Sequence, residues 1–416
     1  MTDTGALTDK LPPDFKDDPS IDPYPHYEQL RGRCPVAQLD QRCGMQPFVV
    51  TRYEEAKAAL ADPRLSKDPE VGRKVLIEAG FAHMYFGERA SLSHHMLSTD
   101  PPDHTRLRRL LAAKFTARRV AELTPRVQQI ADDLIDAFSP AGQAELMTAF
   151  CNQLPALVIA ELLGVPADDR ERFRSWSQDF LLPTYDPRQR GASEALTDYL
   201  AGQIERKRGQ PGDDLLSDLL TGEDQDQLDP HEVLSSAVLL LLAGHETTVN
   251  LIGNGLFALL THPDQLAALR EGPELIPDAV EEFLRYDGPV ERATLRFAAE
   301  ELEIAGTVIP EGSAVYVALN SANRDDAAFP EPDRLDVTRG PRGHLAFGHG
   351  IHFCLGSQVA RMEGRIAFET VLRRLPDLRL AVPAEQLEYR SSTIMRGLET
   401  LPVRFTPQSP RVCANP

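Results

Sequence analysis

Apolar residues along most of the chain recur every three to four positions, the spacing of an amphipathic helix. The pattern sets in at DPPDHTRLRRLLAAKF and predicts helices over 102–114, 117–138, 145–163, 167–182, 190–207, 212–221, 230–261, 263–272 and 277–286. Pro and Gly punctuate the junctions, as in PAGQ and GQPGDD. A further helix, 355–374, follows the loop FGHGIHFCLG. Strand-like runs occur at PFVVTRY, ATLRFA, LEIAG, TVIP and SAVYVALN and again in the tail, so β-rich portions are expected at about 36–52, 293–320 and 378–406. Residues 68–98 have no clean period and read as a long loop with short helical turns, a length that inside a compact domain is usually functional or disordered. Neither a repeat nor a composition break divides the chain. The expectation is a mostly α fold with a smaller β-rich lobe, one domain over 1–416.

One run, SSAVLLLLAGHETTVNLIGNGLFALL, is apolar on nearly every side but interrupted by Gly244, His245, Glu246, Asn250 and Asn254. It falls short of the roughly 18 unbroken apolar residues of a membrane span. A buried central helix is the remaining reading.

Charge narrows the picture. The 416 residues carry a formal net charge of -19, which argues against nucleic-acid binding or adhesion to anionic lipid. The N-terminal stretch is polar and acidic, so neither a signal peptide nor a membrane anchor is expected, and the location expected is cytoplasmic. Five cysteines without CxxC spacing suit a reducing compartment better than a disulfide framework or a zinc site.

Four stretches carry candidate chemistry. In the first, Cys354 precedes a helix, whose N-terminal amides favour a thiolate. Phe347 and Phe353 would exclude water there, while Gly348, Gly350 and Gly356 would permit the turn and close amide contacts. Such a thiolate is a metal ligand, or a nucleophile with His349 or His352 as its base; a plain buried cysteine in a tight turn is the simpler alternative. In the second, Glu246 and Thr247 sit inside the apolar helix, where unpaired polar groups are costly, and Ala243 and Gly244 leave a groove one turn earlier. This is a polar kink, or a small-molecule slot beside a proton-relay pair. HETTV begins like a zinc-hydrolase helix, but Val249 stands where the second histidine ligand belongs. The third is Glu282 and Arg285, three apart on one helical face; as a surface pair they are worth only about 0.2–0.5 kcal/mol. The fourth is His104 and Arg108, four apart among Arg106, Arg109, Lys114, Arg118 and Arg119. That cluster is a solvated basic face or an anion site.

The order of these stretches is more specific than any of them. AGxET, then ExxR, then PDRL, then FxxGxxxCxG before a helix closely resembles the cytochrome P450 haem-thiolate monooxygenases, over essentially the whole chain. The likeness is greatest to soluble actinobacterial enzymes that tailor macrolides and other polyketides or hydroxylate sterol-like molecules. It implies heme b with Cys354 as the proximal iron ligand, and His104, Arg108, Arg296 and His352 at the haem propionates. It implies Glu246 and Thr247 as the acid–alcohol pair for bound O2 beside Ala243 and Gly244, and Glu282, Arg285 and Arg334 as a structural ion-pair triad. Leu335 replaces the usual phenylalanine after that arginine. The substrate pocket implied is Met84, Phe86, Met96, Leu97, Leu181, Leu239, Ala243, Val290, Ala293, Thr294, Ile394 and Met395, largely apolar and suited to a bulky, neutral, lipophilic substrate.

Electrons would come from NAD(P)H through a ferredoxin reductase and a ferredoxin, since the sequence shows no GxGxxG unit or fused flavin domain. Arg109, Lys114 and Arg361 would form the docking patch on a monomer. Two other readings are weaker. A haem-thiolate protein that is not a monooxygenase has little use for the intact Glu246–Thr247 pair. A haem or gas sensor fits poorly with the irregular 68–98 loop, which implies a sizeable organic ligand, and with the lack of any resemblance to a signalling domain.

Overall fold

The computed structural model describes residues 13–15, 22–86, 94–180, 187–220, 228–340 and 343–411. Its axis is the helix Pro230–Thr261, started by Pro230 and by a capping box in which Asp229 and Glu232 satisfy each other's amides. Helices Gln153–Leu162, Pro187–Gly209, Ile276–Tyr286 and Ser357–Arg374 pack around it. By length and composition it could cross a membrane, yet most of its apolar window is buried by these neighbours. Beyond its exposed first residues, Pro230 and His231, the helix is mostly enclosed, but Leu242 and Ala243 in its middle are exposed. A core helix open at its centre borders an internal space.

The helical expectation holds to within a few residues at most ends. Ala117–Phe138, Pro230–Thr261 and Ile276–Tyr286 agree closely, and the irregular 68–98 region contains short helices Arg73–Glu78 and Ala82–Tyr85. Two of the expected β portions merge, with the unexpected strand Leu65–Ser66 at one edge, into one five-stranded sheet in the order Val36–Gln38, Phe48–Val50, Ala314–Val317, Arg296–Ala298, Leu65–Ser66. Its second and third strands are parallel, Phe48 opposite Val315, and the other pairs are antiparallel.

The tail strand Pro402–Arg404 pairs with Arg379–Leu380 and with Gln143–Glu145. The latter strand ends where a helix was expected to begin. A tertiary partner overrides propensity here: Glu145 turns its carboxylate onto the amides of Met147, Thr148 and Leu401, and the helical path starts as a π-helical turn, Met147–Cys151.

Candidate active site

The cysteine loop is built by backbone geometry. The Cys354 amide donates to the Phe347 carbonyl at 2.9 Å, and Gly348 and Gly350 take φ of 72° and 73°. A side chain on Gly350 would meet the Leu60 carbonyl at 2.9 Å, so only glycine lets the loop press onto helix Tyr53–Ala61. Phe347 is buried beneath the Arg361 guanidinium, 4.4 Å from its ring centre, whereas Phe353 is exposed. Burial pushes the Cys354 thiol up; the Gly356 amide, Arg108 and Arg361 pull it down without prevailing. Helix placement alone therefore does not make the thiolate; a cation at the sulfur would. Nor is His352 suited to be its base. His352 lies against His104, ring centres 4.4 Å apart and planes tilted by 58°, and is held neutral with a pKa lowered to about 2 by burial and by Lys67, Arg296, His104 and Arg108.

Beside His104, the buried Lys67 and Arg296 and the half-buried Arg108 form a cationic cluster. Neither ring nitrogen of His104 has a hydrogen-bond partner, and Nε of Arg296 has none. Burial lowers Arg296 to about 10 against the pull of Asp100 and Asp62, while its guanidinium donates to the carbonyls of Leu65 and Leu60. Arg108 donates to the Phe353 carbonyl at 2.6 Å. Lys67, which periodicity did not single out, is buried and donates to the carbonyls of Thr294 and Leu295 at 2.8 and 2.9 Å. Orphaned donors and mutually repelling cations in one place suit a ligand with anionic arms. Leu355, beside Cys354, borders the apolar cluster that includes Leu107 and Leu241, so the loop, the His104 helix and the central helix contribute to one cluster.

On the central helix, Thr247 Oγ1 donates to the Ala243 carbonyl at 2.6 Å, the i to i−4 bond that locally distorts helices. Burial raises the pKa of Glu246, and Arg390, with Nη1 at 4.0 Å, opposes the rise. His245 points elsewhere, its Nε2 3.0 Å from the Asn152 carbonyl, which makes it a core residue; no metal-ligating cluster occurs among the described residues. Gly244 serves helix packing: its missing Cβ would lie 2.9 Å from Ile159 of the neighbouring helix, while Leu242 and Ala243 face the open side.

Glu282 and Arg285 are wholly buried and bidentate, at 2.7 and 2.8 Å. The third member of the expected triad is not Arg334. Its side chain is 60% exposed and faces Glu331, and only its carbonyl reaches Arg285. Arg339 takes the place, with Nε 3.3 Å from Glu282 Oε1 and further bonds to the carbonyls of Pro330, Glu331 and Arg334. Leu335 is buried in the core.

The expected pocket segments partly converge. Val290 pairs with Met395, the amides of Glu291 and Arg292 donate to the Ile394 carbonyl, and Ala293 donates to Val317. Phe86 and Ile394 border one apolar cluster, Met96 borders that of the central helix, and Leu97 is half-buried. Leu239 is buried. The side chain of Met84 and the whole of Leu181 lie outside the described residues.

The basic face is more neutral than its sequence suggests. Arg106 pairs with Glu232, Arg118 with Glu122, Arg119 with Asp218, and Arg361 with Glu281 at 2.5 Å. Burial would raise Glu281, but Arg361 and His344 outweigh it and hold the carboxyl at about 2.

A cysteine presented by a glycine loop, a cationic seat for an anionic ligand and an open stretch of core helix carrying an acid and an alcohol define a haem-thiolate oxygenase. The chain belongs to the cytochrome P450 family and is a monooxygenase: residues 172–386 match the model described as "Cytochrome P450". It is 48% identical to cytochrome P450 monooxygenase PikC of Streptomyces venezuelae over 93% of this chain and 92% of that protein. It is also 48% identical to vitamin D(3) 25-hydroxylase of Pseudonocardia autotrophica, over 93% and 94%. The ligand-free P450 monooxygenase TamI superposes with a TM-score of 0.86 at 43% identity, covering 95% of this chain and 94% of that one. The family binds haem through a cysteine thiolate and uses O2.

Proposed function

We propose that this monooxygenase is a cytoplasmic, monomeric haem domain that hydroxylates or epoxidises a bulky, neutral, lipophilic metabolite, a macrolide or related polyketide. The observation that carries the reading is the joining of two turns expected to line the pocket, Val290 against Met395, together with the open stretch Leu242–Ala243 of the central helix. A sterol-like terpenoid is the second reading, favoured by the likeness to the vitamin D(3) hydroxylase. Titration with macrolactones, amino-sugar macrolides, sterols and small aromatic acids is expected to shift the haem from low to high spin with the first group. A shift with the small acids alone would sink the large-substrate reading.

Cys354 would hold haem, and His104, Arg108, Arg296, His352 and Lys67 would receive its propionates. Once bound, haem supplies the binding and reductive activation of O2. The chain's own residues handle protons. Thr247 directs its O–H to the Ala243 carbonyl, leaving the oxygen lone pairs free to accept a proton-bearing partner on the cavity side. Glu246, raised by burial yet tethered to Arg390, is suited to take up a proton and release it again.

Positioned proton transfer contributes about 10²–10⁴-fold to a rate. Thr247→Ala is therefore expected to keep haem and substrate binding but to lower product per NADH by on the order of tenfold or more, with peroxide making up the difference. Unchanged coupling would remove Thr247 from the relay.

Electrons come from NAD(P)H through a ferredoxin reductase and a ferredoxin that docks beside the cysteine loop. With Arg361 neutralised by Glu281, Lys114 carries more of the steering. Reversing its charge together with that of Arg109 should slow reduction, most at low salt, because screening extends over only about 10 Å at 0.1 M. Rates indifferent to reversal and to salt would place docking elsewhere.

A further inference from the structure

Behind the pocket turn lies a buried polar network that haem chemistry does not use. Arg292 and Asp14 are both 0% exposed at their side chains and form a bidentate pair at 2.6 and 2.8 Å. Nε of Arg292 donates to the Tyr27 hydroxyl at 2.8 Å, and that hydroxyl donates to Glu291 Oε1 at 2.8 Å. Gln41 donates to Asp14 at 2.9 Å. The guanidinium lies 5.3 to 5.8 Å from the ring centres of Phe15, Tyr27 and Tyr316. Glu291 and Arg292 are also the residues whose amides hold the Ile394 carbonyl, and they sit between Val290 and Thr294 in the chain. An ion pair so deeply buried is weak as a source of stability, because an apolar replacement would serve about as well; its best-attested use is to hold a register.

We propose that the Asp14–Arg292–Tyr27–Glu291 network is a specificity-determining support, through which the N-terminal segment sets the position of the 290–294 turn against the 394–395 turn. The proposal rests on these turns lining the substrate pocket. The residues act as positioning residues and touch neither the cysteine loop nor the cationic cluster in any hydrogen bond or ion pair described above.

Two variants of the full-length holoenzyme test it. Tyr27→Phe removes one oxygen and leaves the charged pair intact; Asp14→Asn keeps shape and removes the charge. Both are expected to retain the reduced, carbon monoxide-bound spectrum of the parent. Amide hydrogen exchange across 290–296 and 392–397, measured without substrate, should quicken. The spin-shift Kd for whichever panel ligand shifts the parent should rise at least about fivefold, the lower end of couplings between linked sites, and the distribution of oxidised positions should change. Unaltered exchange in Tyr27→Phe overturns the proposal. Faster exchange with unchanged Kd and product distribution also overturns it, since the network would then be structural only. Should Asp14→Asn fail to fold, Tyr27→Phe decides alone. A parent that no panel ligand shifts defeats the pocket reading itself, a separate result visible before either variant is made.

Discussion

Replacing Cys354 with serine is expected to abolish the haem-thiolate spectrum and all monooxygenase activity while leaving the fold in place. The loop is held by backbone contacts, Cys354 N–H to the Phe347 carbonyl and the close approach of Gly350 to Leu60, and none of these uses the sulfur. What serine cannot supply is a thiolate. Even cysteine is pushed toward its protonated form by burial here, and it needs a cation to ionise. An alcohol starts with a far higher pKa. The reduced protein under carbon monoxide is the measurement: a Soret band at the parent position would show that another residue holds the iron. Circular dichroism of the same sample would separate lost ligation from lost folding.

The second large effect concerns the buried pair on helix Ile276–Tyr286. Removing Glu282 leaves Arg285 charged and enclosed among carbonyls, and breaking a buried pair in this way costs about 3–5 kcal/mol. Against a total stability of about 5–15 kcal/mol, Glu282→Ala should yield little folded protein. Arg339 and Arg334 then separate two versions of the triad. Arg339→Ala removes a partner of the buried Glu282 carboxylate, at about 1–3 kcal/mol, while the exposed carbonyls it leaves can turn to water. Arg334→Ala removes an exposed contact to Glu331, worth about 0–1 kcal/mol. Chemical denaturation of the two variants is the test. A larger loss from Arg334→Ala would restore the arginine expected from the PDRL spacing.

That exchange of arginines shows where local reading stops. Glu282 and Arg285 share a helix, so their spacing of three fixes their meeting before any tertiary contact is known. Arg334 and Arg339 both lie in an irregular turn, where no period says which side chain points inward. The same limit hid Lys67, whose acceptors Thr294 and Leu295 lie more than two hundred positions away, and Arg390, which reaches Glu246 from the tail.

By itself the sequence determined the helices, the open polar step at Glu246–Thr247 in the central one, and the glycine loop around Cys354. Each is written in a short window as period, spacing or backbone permission. Only the tertiary structure decided that Gln143–Glu145 becomes a strand, that Gly244 serves packing against Ile159, and that Arg361 is neutralised by Glu281. It also decided that the cations near His104 crowd together without an anion among them that bonds the His104 ring or Arg296 Nε. These outcomes depend on which distant segment supplies a partner, and burial then sets the charge each group can hold.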